Sequence, residues 1–283
     1  MKRKLFLLAF ILLSLSACAP LETIPYTPAQ TPETWLQIQP FAELQFGSQT
    51  IIFVQPSTSL IVYLLGILTI YIGIHFLRTR QDQNSRLWWG VALLFWGLGA
   101  LLAGTSYEAF SFAIKCAGRD LCVWTSGWEI VYLVFSVWSI DAILAAVAYS
   151  SSVGKGRKLL LGYALSNAIV YTVIVLVGIF IPVKFLISFE FMLLLTAPSI
   201  LALFILNGKR YLNQKERLDL LLLYTWLGLG FTIGAYFLYY LSGLTATLWE
   251  KGFWFSENDV LHIGLILWMI FIGFYLTPKV KDS

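Results

Sequence analysis

Seven long apolar runs constrain this chain more than any other feature. They lie at about 58–78, 87–112, 127–150, 158–182, 185–206, 218–242 and 259–277, and each is long enough to cross a bilayer as a helix. Backbone amides and carbonyls find no water in the hydrocarbon core, so a crossing segment must satisfy them itself, and a helix does so. None of the runs alternates with the period of two that a membrane β-barrel strand requires. Composition matters here in one respect. Only 12% of the 283 residues are charged, against about 25% in a soluble domain, so the chain needs lipid as its solvent. The expected fold is all-α: a polytopic bundle of seven transmembrane helices.

A shorter apolar run comes first. Lys2, Arg3 and Lys4 precede an apolar stretch from Leu5 to Leu15, and Ser16, Ala17 and Cys18 follow it. Basic, apolar and small residues in that order mark a secretory signal. The 11 residues from Leu5 to Leu15 reach about 17 Å as a helix, short of a core of roughly 30 Å, which favours a cleaved signal over an uncleaved first span. Leu15-Ser16-Ala17-Cys18 resembles the lipobox of bacterial lipoproteins. That resemblance implies cleavage before Cys18 and acylation of its thiol, making the protein a lipoprotein. The chain then divides into a signal peptide over 1–17, an extracytoplasmic lipidated tether over 18–57 and a seven-helix domain over 58–283. The tether holds Pro20, Pro25, Pro28, Pro32, Pro40 and Pro56 and reads as mostly irregular. Its stretch from Leu44 to Val54 suits a short strand or a segment lying on the membrane surface.

Loop charges set an orientation. With Cys18 outside, twelve basic residues fall on the inner side and four on the outer, as the positive-inside rule expects. The N-terminus is then outside a bacterial cytoplasmic membrane and the C-terminus in the cytoplasm. The net charge of +4 sits in short loops between apolar runs, so it points to topology rather than to nucleic acid. Cys116 and Cys122 share a loop on the expected outer side, where disulfides persist, and a bridge between them is favoured. The alternatives are two free thiols or a metal pair, although no further cysteine remains to complete a thiolate site.

Charged groups within spans are costly and mark pairing or function. Glu108, Glu129, Glu190, Asp259 and His262 come from four different runs, yet all fall at similar outer depth. Such a group suits a divalent cation, an amine or a proton relay; a solvated rim is the plainer account, especially for Glu129 and Asp259. Asp141 lies deep in the third run, at the depth of Ser166 and Asn167 in the fourth, which suggests a contact between helices. His75 precedes Arg78 and Arg80 at the inner boundary and suits an interfacial position.

Two stretches carry a family resemblance: Gly104-Thr105-Ser106-Tyr107-Glu108-Ala109-Phe110 and Asn258-Asp259-Val260-Leu261-His262-Ile263-Gly264. With seven spans and an outer N-terminus, they resemble the alkaline ceramidase superfamily, which includes the adiponectin-type receptors. The resemblance implies a zinc site that hydrolyses amide bonds in lipids. Ser106 and Asp141 then take the places of the family's serine and aspartate, and Glu108, His262 and Glu190 are the metal ligands that remain. The pattern is degenerate, because Ile266 stands where a second histidine of the last span belongs and Glu108 where the second-span histidine belongs. Three functions follow as expectations: a metal-dependent lipid amidase-like hydrolase, a non-catalytic sensor or binder of a lipid or other small amphiphile, and, last, a transporter.

Overall fold

The computed structural model describes residues 20–283. The leader and Cys18 lie outside the described residues. Among those described, seven helices are long and apolar enough to cross a membrane. In chain order the elements are a short helix α1 (Pro32–Gln37), strands β1 (Phe41–Phe46) and β2 (Gln49–Val54), the first long helix α2 (Pro56–Arg78), α3 (Asn84–Ala103), the short α4 (Ser111–Lys115), α5 (Gly127–Ser151), α6 (Gly154–Phe180), α7 (Phe189–Gln214), α8 (Arg217–Ser242), the short α9 (Leu244–Glu250) and α10 (Glu257–Phe271). This is the all-α, seven-helix bundle that the apolar runs predict, and the chain is a multi-pass membrane protein.

Helix ends follow local chemistry. Pro56 opens α2 at a position where a missing N–H costs nothing. Ser188 caps α7 by accepting from the Phe191 amide, and Ser256 with Asp259 forms a capping box at α10. Gly243, at φ +68°, ends α8 in the left-handed conformation that glycine adopts freely. Helix α7 runs well past residue 206, where the apolar run ends, because Asn207 turns inward to polar partners.

Six of the long helices close a ring in the order α2, α3, α5, α7, α8, α10, with α10 returning to α2. Helix α6 stands outside the ring, packed mainly on α5. Burial records the difference: 67% of the apolar window of α5 is buried inside the protein, against 22% for α6. Every residue of α5 from Ser139 to Ala148 is buried. It is the most buried of the long helices, touching α3, α6 and α7.

Residues 20–55 form a cap over one end of the bundle. The part expected to be an irregular tether folds instead, because its backbone finds partners in the loop that follows α4. The Trp124 amide donates to the Ile24 carbonyl at 2.8 Å, and the Cys122 amide donates to the Gln30 carbonyl at 2.8 Å. Lys184 adds hydrogen bonds to the Pro25 carbonyl and the Thr27 hydroxyl. Strands β1 and β2 pair antiparallel from Phe41↔Val54 to Phe46↔Gln49. Cys116 and Cys122 form a disulfide, packed against Trp35, Tyr26 and Phe112.

The opposite end is closed by the segment after α10. Gln83 gives α3 no side-chain cap. The Asp282 carboxylate supplies one from 198 residues away, accepting from the amides of Asn84 at 3.0 Å and Ser85 at 2.7 Å. Partial burial works to raise the pKa of Asp282, but the hydrogen bonds from Ser85 and Asn84 and the charge of Arg157 outweigh it and hold that pKa below the usual value. Arg86 donates to the carbonyls of Thr277 and Val280, and Arg157 to that of Ser283.

Candidate functional site

Polar groups inside the bundle fall into layers between the cap end and the tail end. The layer nearest the tail joins three helices. Asp219, fully buried in the first turn of α8, accepts from Asn207 at 3.0 Å, from the Arg210 guanidinium at 3.1 and 3.2 Å, and from Ser151 at 3.4 Å. The Trp226 indole then donates to Asn207 at 3.1 Å. This network gives every member a partner, as a structural device does. Reading the sequence missed it, because Asp219 is the second residue of its apolar run, close to Arg217, where a charge suits the boundary.

The middle layer is Asp141. Asn167 donates its side-chain amide to both carboxyl oxygens, at 3.1 and 3.0 Å, and Ser199 donates at 3.3 Å. Matched depth had pointed to Asn167 correctly. Ser166 faces away from the protein, and Ser199 of α7 takes the role considered for it. Asn167 also donates to the Leu195 carbonyl at 3.3 Å, next to Pro198, whose missing N–H interrupts the ladder of α7. Asp141 thus ties α5, α6 and α7 together.

Two groups occupy the cap end. In the first, Lys115 makes a fully buried ion pair with Glu129. The rings of Tyr26, Trp35 and Tyr107 surround the ammonium at 5.7, 5.8 and 4.8 Å from their centroids. Desolvated ammonium groups are attracted by such faces. Burial pushes the pKa of Tyr26 up, and the neighbouring Lys115 only partly opposes it, so the phenol stays neutral and accepts from Lys115 at 3.2 Å. The solvated rim considered for Glu129 is therefore replaced by an internal salt bridge.

The second group contains Glu108, Asp259 and His262. Helix α3 continues as a π-helical turn over Gly104–Ala109, in which the Phe110 amide reaches back to the Thr105 carbonyl. This turn carries Glu108 inward, leaving it only 4% exposed. Asp259 is fully buried as well, where a solvated rim was the plainer expectation, because one oxygen serves the capping box of α10. His262, one turn further along α10, faces the interior.

Glu190 does not join them. It sits exposed in the first turn of α7, as Glu129 and Asp259 sit in the first turns of α5 and α10. Acidic side chains are favoured at helix N-termini. That preference explains why these acids share a depth in the sequence without sharing a site. Ser106 donates to the Leu102 carbonyl of its own helix, and His75 is exposed near the tail end. Among the described residues, no group of three or more His, Cys, Asp or Glu side chains stands together as a metal site.

The helical ring encloses a cavity of about 200 Å³. All six ring helices contribute, and the lining is apolar apart from His262, Tyr132, Ser136 and Thr196. His262 is its one imidazole, and the Nδ1 atom is buried without a hydrogen-bond partner. Phe189, Leu193 and Ile233 line the cavity and are also exposed on the outside of the bundle, so its wall between α7 and α8 is one side chain thick. A cavity of about 150 Å³ lined by apolar side chains already accepts a ring such as benzene.

Residues 57–277 match the model of a family of unknown function (DUF6962). No curated protein and no solved structure matches the chain.

Proposed function

The chain belongs to the DUF6962 family, and on that footing we propose that it is a membrane receptor or carrier for a small amphiphile taken up from the bilayer. The observation that carries this reading is the cavity itself: six helices surround it, its walls are mostly apolar, and the single imidazole stands where a polar head belongs. Binding sites combine an apolar lining with a few placed polar groups in this way. The thin wall at Phe189, Leu193 and Ile233 supports entry from lipid rather than from water. The apolar lining supports binding as the first reading, with the amidase-like hydrolysis that the ceramidase resemblance implies as the alternative.

In this reading the cap end faces outside. The excess of basic residues at the tail end supports that orientation, and the Cys116–Cys122 disulfide fits an oxidising compartment. The lipobox-like sequence that ends at Cys18 supports a lipid anchor on the same side.

The test is mass spectrometry of the protein purified in native membrane discs. Wild type carries a bound amphiphile, and Ala103→Trp, which fills the cavity, lacks it. Equal occupancy in the two proteins would remove the cavity from the proposal. One equivalent of zinc in wild type, lost in both Glu108→Ala and His262→Ala, would replace binding by hydrolysis.

A further inference from the structure

The lining of the cavity inside the helical ring restricts what it holds. None of its lining residues is Lys, Arg, Asp or Glu. A charged head placed there would lose its water and find no counter-charge, which is costly in a protein interior. A ligand of this cavity is therefore neutral.

The polar part of the lining then separates donors from acceptors. The Ser136 hydroxyl donates to the Tyr132 carbonyl at 2.9 Å, and the Thr196 hydroxyl to the Met192 carbonyl at 3.0 Å. Each hydroxyl has one proton, already used, and keeps lone pairs, so toward the cavity both side chains accept. His262 lines the same space, and its Nδ1 is buried without a hydrogen-bond partner. Asn167 and Asn207 are held by their partners, whereas no such contact fixes Nδ1 of this ring. Buried polar groups are nearly always satisfied, so an uncommitted imidazole on a cavity wall calls for a ligand. We propose, on the receptor or carrier reading above, that the cavity takes a small neutral alcohol or phenol whose hydroxyl donates to this lining.

A ketone, ester or ether accepts without donating and leaves the two spent hydroxyls unmatched. An alcohol or phenol donates and also accepts, so it serves the imidazole in either tautomer. Size narrows the class further. At about 200 Å³ the space exceeds by about a third the 150 Å³ or so that holds benzene, which is room for one ring with a short substituent. Trp96, Tyr132 and Phe189 give that ring aromatic walls.

Three probes of nine carbons test this, bound to the protein in phosphatidylcholine nanodiscs with empty discs as the reference. 4-Propylphenol donates, its isomer 4-ethylanisole only accepts, and 4-ethylbenzoate is charged. The phenol should bind wild type at least tenfold more tightly than either of the others, a comparison that needs no variant. Combining His262→Leu, Ser136→Ala and Thr196→Val should reduce its advantage over the anisole to twofold or less, with anisole affinity unchanged, which also shows that the variant is folded. An anisole or benzoate that matches the phenol in wild type, or an undiminished advantage in the folded variant, overturns the hydroxyl specificity. Failure of all three probes to bind saturably, or indifference of the phenol to Leu265→Trp, overturns the cavity reading instead.

Discussion

Asp141 shows how one carboxyl can organise three helices. Its oxygens are held by Asn167 from α6 and Ser199 from α7, so α6, which stands outside the ring, is anchored by a polar contact as well as by packing. Interhelical hydrogen bonds in membranes are worth about 0.6 kcal/mol on average and up to about 1.7. A double-mutant cycle of Asp141→Leu and Asn167→Ala, followed by unfolding in detergent, should give a coupling energy in that range. Additive effects would show that the pair contributes no energy of its own. At the same scale Lys115 has the opposite character. Its charge is enclosed by one carboxylate and three rings drawn from the cap and the bundle, so it fastens two parts of the molecule that are far apart in sequence.

Among the elements, α2 and α3 approach closely through two reciprocal pairs of glycines. A Cβ at Gly97 would lie 2.8 Å from the Gly66 carbonyl oxygen, and one at Gly66 would lie 3.0 Å from that of Gly97. Gly73 and Gly90 repeat the arrangement at 3.1 and 3.0 Å. Backbone cannot move aside as a side chain can, so Gly97→Val and Gly90→Val should each destabilise by about 1–3 kcal/mol or more, read as a lower melting temperature. Gly230→Ala, whose Cβ meets nothing within 4 Å, should leave stability unchanged or raise it by up to about 1 kcal/mol. A melting temperature unaffected at Gly97 and Gly90 would mean that the two helices slide freely. In the sequence, Gly97, Gly99 and Gly104 permit bends in this helix. Gly97 instead admits a neighbour, and the departure from α-geometry comes only at the π-helical turn that starts at Gly104. A single sequence does not distinguish these uses, because both need only the missing Cβ.

For the whole molecule, the apolar runs made the seven crossings and their order legible, because length and hydrophobicity alone decide whether a helix can span. Matched depth revealed the Asp141–Asn167 pair. What stayed hidden depended on tertiary partners. The cap reads as a tether because its proline-rich backbone is satisfied by residues about a hundred positions later. Depth also grouped Glu190 with Glu108, since it records distance along the membrane normal and not rotation about a helix. Orientation can be tested directly. With a membrane-impermeant maleimide, Ser48→Cys should label in intact cells and Gln214→Cys only after permeabilisation; the reverse pattern would invert the topology.

The cap that Asp282 places on α3 has a consequence for synthesis. Asn84 and Ser85 leave the ribosome 198 and 197 residues before the carboxylate that satisfies them. Throughout elongation, the second span waits in the membrane with the first amides of its helix unclaimed, while five further spans are made. The bundle is therefore fastened at that end by residues translated after all seven spans, so this cap forms only once the last span has been made.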